Sequence, residues 1–430
     1  MHNFKTFLLI FLLLVISGCS FQTDHVKKSP AASTPAPAGN SAVNTPGLPS
    51  PTNQAALSLT VIPSTAPSAA AAASSSISQS IAPAPTGIAS SINGPEGIIL
   101  DILRHMSLDE KVGQMFFVRC NQDSAALDIK KYKMGGFILF SNDFKGKTKK
   151  EVTSTFAAYQ KLSKIPLLIG VDEEGGIVNR ISKYPAFRTA AFQSPQKLYR
   201  LGGYPLLKAD TIDKANFLKS LGINVNLAPV SDVSIKSTDF IYPRSFGKNA
   251  KETSLYVKTV VTAMKAAGIG STLKHFPGYG NNKDTHTGSA IDTRKISVFE
   301  KSDFLPFRAG IAAGADSILV SHNIVTCMDK HHPASLSAPV HSLLRKSLGF
   351  TGVIMTDDLS MDAITEFAGK EKAAVLAVTA GNDLIISSNC SIQLPAVIEA
   401  VKSKKISEER INLSVKRILL WKLSLGLIKK

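Results

Sequence analysis

The sequence predicts an α/β fold, a single (β/α)8 barrel of the TIM type preceded by a disordered linker. Three observations carry this. Eight short apolar runs recur along the later part of the 430-residue chain, helical patterns fall between most of them, and an uncharged stretch precedes them all. The runs are Gln114–Val118, Gly136–Phe140, Pro166–Val171, Asn224–Val230, Ser271–His275, Ser317–Ser321, Gly352–Asp357 and Asp383–Ile386. They are rich in Val, Ile, Leu and Phe without strict alternation, as expected of parallel strands buried on both faces. The helical patterns include Thr148–Ser163, Ala209–Leu221, Lys251–Ala267, Lys301–Ala313 and Gly369–Ala380. The first opens on Thr148 with Glu151 three residues on, the spacing of a capping box. An open doubly wound sheet is the alternative, but no GxGxxG follows the first run, so a dinucleotide-binding fold has little support.

Ahead of the barrel, Lys5 is followed by an apolar run from Phe7 to Ile16 and then Ser17-Gly18-Cys19. The run is too short for the about 20 residues that span a bilayer, but it suits the core of a secretory signal. Ile16-Ser17-Gly18-Cys19 resembles the lipobox of bacterial lipoproteins, where cleavage leaves the Cys as a lipid-carrying N-terminus. An ordinary signal peptide with an incidental Cys19 is the alternative. The 67 residues from Ser29 to Pro95 carry no charged side chain, and no Phe, Tyr or Trp occurs from Gln22 to Met115. Such a stretch cannot bury enough apolar surface to offset the entropy of ordering it. As a flexible coil, 67 residues reach roughly 45 Å end to end. The chain therefore divides into a signal over 1–19 ending at Cys19, an Ala/Ser/Pro/Thr-rich tether over 20–95, and a barrel over 96–430. The expectation is an extracytoplasmic protein that touches the bacterial membrane through a lipid anchor only. Cys120, Cys327 and Cys390 are odd in number and show no CxxC spacing, so buried thiols are expected rather than a disulfide framework.

The net charge is +17, of which +15 belongs to the residues from Glu96 onward. A basic surface suits a polyanion: nucleic acid, an anionic membrane face or an acidic cell wall. No block of Lys and Arg interleaved with aromatics singles out nucleic acid, so none is expected as a partner. Most of the charge reads as solvated surface.

A barrel places catalytic groups at the C-terminal ends of its strands or in the loops just after them. Polar residues stand in those places: Asp172, Asp232, Lys274-His275, His322, Asp357-Asp358 and Ser387-Ser388 after the third to eighth runs. Carboxylates in such number at one barrel mouth point to a site.

Five ordered motifs give that site a family. Lys274-His275-Phe276-Pro277-Gly278-Tyr279-Gly280, followed by Asp284-Thr285-His286, strongly resembles the KHFPGHG…D-S/T-H signature of family 3 β-N-acetylglucosaminidases among the glycoside hydrolases. Asp172-Glu173-Glu174-Gly175-Gly176 with Arg180, Asn226-Leu227-Ala228-Pro229-Val230, Arg244-Ser245-Phe246-Gly247 and Thr356-Asp357-Asp358-Leu359 resemble further segments of that family, in order. The resemblance covers nearly all of Glu96 to Lys430.

It implies a retaining exo-glycosidase acting on N-acetylglucosamine-containing oligosaccharides or muropeptides, with Asp357 as nucleophile. Asp357 and Asp358 compete for the role. Strand alternation puts them on opposite faces, and the family register selects Asp357, leaving Asp358 at a helix N-terminus or behind the site. The resemblance implies His286 as acid/base with Asp284 beside it. A His near neutral pH can give a proton to the leaving oxygen and take one from water, and a carboxylate on its other nitrogen fixes the tautomer. Gly278, Gly280 and Gly288 make this segment read as a mobile loop. The resemblance also assigns Asp172, Arg180, Arg244, Lys274 and His275 to sugar binding, with a structural ion pair as the other reading of Arg180 and Arg244. Asp232 and His322 are expected behind these residues, and Trp421 is expected to pack on the barrel. Family members commonly carry His where Tyr279 stands; Tyr keeps a hydrogen-bonding group there. No metal or other cofactor is expected, since no HxH or HExxH spacing supports one around Asp284 and His286. A monomer is expected. A β-glucosidase-like relative and a non-catalytic wall-binding lipoprotein are the competing functions; the Asp284/His286 pair opposes the first, and intact Asp357, Asp284 and His286 oppose the second.

Overall fold

A computed structural model describes residues 94–429 except 283, 286, 287 and 289; the signal segment, Cys19 and nearly all of the tether lie outside the described residues. Ten strands occur among the described residues: β1 (Phe116–Arg119), β2 (Gly136–Leu139), β3 (Leu168–Val171), β4 (Val225–Asn226), β5 (Gly270–Phe276), β6 (Ile291–Asp292), β7 (Ser317–Val320), β8 (Ile324–Val325), β9 (Val353–Thr356) and β10 (Ile385–Ser387). Eight of them pair in parallel in the order β10-β1-β2-β3-β4-β5-β7-β9. A parallel bridge between Met355 and Leu384 links the two edge strands, so the sheet rolls into a (β/α)8 barrel. β6 and β8 form a separate parallel pair.

Each of the eight predicted apolar runs overlaps one barrel strand, and almost every residue in these strands is buried. The runs are visible because helices cover the outer face while side chains fill the inside, which leaves no room for polar alternation. The capping box is present: the helix Lys149–Leu162 starts at Thr148, whose Oγ1 accepts from Glu151 N–H while the Glu151 carboxylate accepts from Thr148 N–H at 2.7 Å. Two helices begin earlier than their patterns. The segment Pro195–Ser220 is helical except at Gly202 and Gly203, so the pattern over Ala209–Leu221 catches only its second half. The segment Asp362–Ala380 likewise breaks at Gly369, where the predicted helix began. Glycines without helical dihedrals split both.

The final helix, Glu408–Ser424, closes the N-terminal end of the barrel. It buries Ile411, Val415, Ile418, Leu419 and Trp421, and Trp421 packs on Gly270 at the start of β5. It also buries Lys422 completely. The ammonium donates to Gln114 Oε1 at 2.6 Å, and the Gln114 amide donates to the Lys133 carbonyl at 2.9 Å. Burial pushes the Lys422 amine down from 10.5 to about 7.

A depressed lysine pKa destabilises the fold wherever the unfolded chain would be protonated. The penalty is absent above pH 10.5, grows as pH falls and is complete below about 7. Lys422→Met is therefore expected to raise stability, by about 3 kcal/mol more at pH 6 than at pH 9. Urea denaturation at the two pH values measures this, and an equal effect at both would refute it.

Candidate active site

The C-terminal ends of the barrel strands enclose a cavity of about 280 Å3. β3 delivers Asp172 to its wall, β5 delivers Lys274 and His275, and β9 delivers Asp357 and Asp358. Arg180 reaches the cavity from the loop after β3 and Arg244 from the loop after β4. Six residues singled out in the sequence, Asp172, Arg180, Arg244, Lys274, His275 and Asp357, thus share one cavity. Asp284 is half-buried and is not part of the cavity wall, while His286 lies outside the described residues.

One side of the cavity is a continuous chain of charged groups. Lys274 Nζ lies 2.7 Å from Asp172 Oδ1 and 2.6 Å from Glu174 Oε1. Arg244 grips the same Glu174 with two N–H groups, at 2.7 and 3.1 Å. Burial alone would raise the Glu174 carboxyl, but Arg244 and Lys274 hold it well below the usual carboxylate range. Arg244 Nη2 also lies 3.1 Å from His275 Nε2. A guanidinium can only donate, so Nε2 accepts and the ring proton sits on Nδ1, 2.8 Å from Asp232 Oδ2. Asp232 further accepts from the backbone N–H of His275 and of Tyr279. Asp232 therefore orients His275 from behind. For Arg244 the two readings merge: its guanidinium is ion-paired and still faces the cavity.

Glu173, beside Glu174, is fully buried and builds the loop after β3. It accepts backbone N–H groups of Arg180, Ile181 and Ser182 and the Ser182 hydroxyl. Those bonds set where Arg180 leaves the loop. Arg180 then stands 3.8 Å from Asp172 and stacks on Phe140, on which Arg119 also stacks at 4.5 Å. Arg119 and Phe140 line the cavity and were not singled out from sequence. Their signal was present, since Arg119 ends β1 and Phe140 directly follows β2.

Asp357 and Asp358 both line the cavity. β9 ends at Thr356, so strand alternation no longer separates them; their partners do. The Asp358 carboxylate is taken up by Ser360 N–H, Ser388 N–H and the Ser388 hydroxyl, and its carbonyl accepts from the His322 ring. Asp358 ties the ends of β7, β9 and β10 together. Asp357 is half-buried, and its carboxylate accepts the Asp358 N–H at 2.9 Å within the same turn.

The Glycosyl hydrolase family 3 N terminal domain model matches residues 107–420. The chain belongs to glycosyl hydrolase family 3. Beta-hexosaminidases of Xanthomonas campestris pv. campestris are 33% identical over 258 residues, 59% of this chain and 76% of theirs. Among solved structures, a family 3 β-N-acetylglucosaminidase from Paenibacillus sp. str. FPU-7 superposes with a TM-score of 0.71 at 32% identity. That match covers 75% of this chain and 63% of the Paenibacillus chain, so this protein spans under two thirds of that relative. A family 3 glycosyl hydrolase from Mycobacterium smegmatis gives 0.68 at 27% identity, with 74% and 98% covered.

Within this glycoside hydrolase, Glu174 is the carboxylate that two buried cations at the cavity share. Glu174→Gln leaves Arg244 and Lys274 buried with one carboxylate partner fewer. It is expected to lower stability by about 3 kcal/mol, measured by denaturant unfolding. A change under about 0.5 kcal/mol would show that Glu174 is not what holds the two cations.

Proposed function

We propose that this protein is a retaining exo-β-N-acetylglucosaminidase that removes terminal non-reducing N-acetylglucosamine from peptidoglycan-derived fragments. One observation carries the reading: Asp357, at the end of the seventh barrel strand, faces a sugar-sized cavity whose far side presents Asp172, Lys274, Arg244 and Arg180. Fixed carboxylates and charged donors of that kind hold hydroxyl groups in a defined orientation. The names of the Xanthomonas and Paenibacillus relatives support N-acetylglucosamine as the sugar held there.

In the first step the Asp357 carboxylate attacks the anomeric carbon as the bond to the aglycone oxygen breaks. His286, oriented by Asp284, gives its proton to that departing oxygen. In the second step His286 takes a proton from water, whose oxygen displaces Asp357 from the anomeric carbon. Two inversions return the starting configuration. Asp172, Lys274, Arg244 and His275 hold the sugar, and the Glu174 and Asp232 carboxylates hold those side chains in turn.

The apolar run ending at Cys19 and the uncharged tether support an enzyme lipid-anchored outside the cytoplasm. The tether lets a +15 barrel stand clear of the membrane and reach an acidic wall. Cys19→Ser is accordingly expected to move the protein from the membrane to the soluble fraction on centrifugation; retention in the membrane overturns the anchor.

The chemistry has a direct test. Proton NMR of aryl β-N-acetylglucosaminide cleavage should show the β anomer of free N-acetylglucosamine first. Asp357→Asn should lower kcat at least about 1,000-fold. An α anomer as first product, or an aryl glucoside cleaved faster than the N-acetylglucosaminide, overturns the reading.

A further inference from the structure

Behind the segment that leads to Asp284 lies a buried ion cluster with no contact to the cavity. Arg294 donates through Nε to both Asp292 oxygens, at 3.1 and 3.0 Å, and through Nη2 to Asp292 Oδ2 at 2.8 Å. Its Nη1 donates to both Asp303 oxygens, at 3.1 and 3.2 Å. The guanidinium lies 4.3 Å above the Phe299 ring, and both carboxylates are almost wholly buried. Buried ion clusters of this kind add little net stability and are better suited to fixing one geometry among several.

The geometry fixed here is that of the loop after β5. Arg294 Nη2 donates to the Gly278 carbonyl at 3.2 Å. Asn282 donates to Asp292 Oδ2 at 2.7 Å and to the Tyr279 carbonyl at 2.9 Å. The loop backbone lies directly on the cluster: a Cβ at Gly278 would stand 2.4 Å from Asp303 Oδ1, and one at Gly280 2.5 Å from Arg294 Cζ. Both glycines also have positive φ, 125° and 54°. Beyond the loop, β6 pairs with β8, and Ile324 N–H donates to the Ala290 carbonyl at 2.9 Å. The chain is thus held up to Asn282 and again from Ala290, with Asp284 and His286 in the span between.

We propose that Arg294, clamped by Asp292 and Asp303, is a positioning residue that sets where the Asp284/His286 pair meets the glycosidic oxygen. Arg294 touches neither substrate nor reacting atoms; it acts through the loop that carries the proton donor. This inference rests on the acid/base role of His286 proposed above.

Positioning of a proton donor has a signature that a loss of fold does not. An N-acetylglucosaminide with a 2,4-dinitrophenyl leaving group departs without protonation, whereas N,N′-diacetylchitobiose needs the proton. kcat/KM reports glycosyl-enzyme formation for both. Arg294→Met is expected to lower kcat/KM on chitobiose about 100-fold and on the dinitrophenyl substrate less than about 3-fold. Asp303→Asn should give the same pattern more weakly, and His286→Ala the same pattern more strongly. The ratio between substrates does not depend on how much protein is folded, so residual activity suffices. Equal losses on both substrates for Arg294→Met and Asp303→Asn, beside a skewed ratio for His286→Ala, overturn the positioning role alone. An unskewed ratio for His286→Ala overturns the acid/base reading instead.

Discussion

The site depends on one buried ammonium shared by two carboxylates. Lys274 lies between Asp172 and Glu174 with its side chain only 2% exposed, and Glu174 carries Arg244 on its other face. Each charge there would be costly alone, by several kcal/mol per ion, and becomes tolerable only because the others are in place. Among the groups of this wall, Asp172, Glu174 and Asp232 face Lys274, Arg180 and Arg244, so the wall as a whole carries no net charge. Such a wall can offer donors and acceptors to a neutral sugar without an attracted ion competing for them. Asp357 lines the same cavity from the turn that directly follows β9.

The two ends of the barrel divide the work. At the N-terminal end Asp383 is fully buried and gathers Arg345, Arg410 and Arg417 together with the Ser414 hydroxyl at 2.7 Å. It also accepts the Ile354 N–H, so one carboxylate fastens β9 to the final helix. Lys422 and Gln114 add a second fastening between that helix and the approach to β1. These contacts serve rigidity, as expected at the closed face of such barrels. The open face can then hold strained or charged groups, because the strands that carry them are locked from below.

Much of this was legible in the sequence, and the remainder was not for identifiable reasons. The eight strands showed themselves as apolar runs because both of their faces are buried. The cavity-lining residues showed themselves because a barrel concentrates polar groups at strand ends, and a family signature singled them out. Glu174 did not stand out within three consecutive acidic residues, since its partners lie 70 and 100 positions further on, at Arg244 and Lys274. Alternation put Asp357 and Asp358 on opposite faces and the family register chose Asp357; β9 ends at Thr356, ahead of both, and it is the serine and amide partners of Asp358 that mark it as structural. Arg119 and Phe140 sat at strand ends that the search for titratable groups passed over, because one partner of the pair is an aromatic ring.

Tyr279 shows how the two halves of the site are joined. Its ring is buried edge-on against His275, its N–H donates to Asp232, and its hydroxyl lies 2.6 Å from Thr285 Oγ1. Burial first, and then the negative charge of Asp357, push the phenol well above its ordinary value, so it stays protonated and keeps its hydroxyl for Thr285. Hydrogen bonds therefore run without a gap from Glu174 through Arg244, His275, Asp232 and Tyr279 to Thr285, next to Asp284. The charged wall of the cavity and the segment that leads to Asp284 are parts of one network. The longer Tyr ring at this position spans from the Asp232 side to Thr285, and the Arg294 cluster holds the same segment from its other side. The described part of the loop after β5 is thus held from two directions, by the hydrogen bonds of Tyr279 and by the Arg294 cluster.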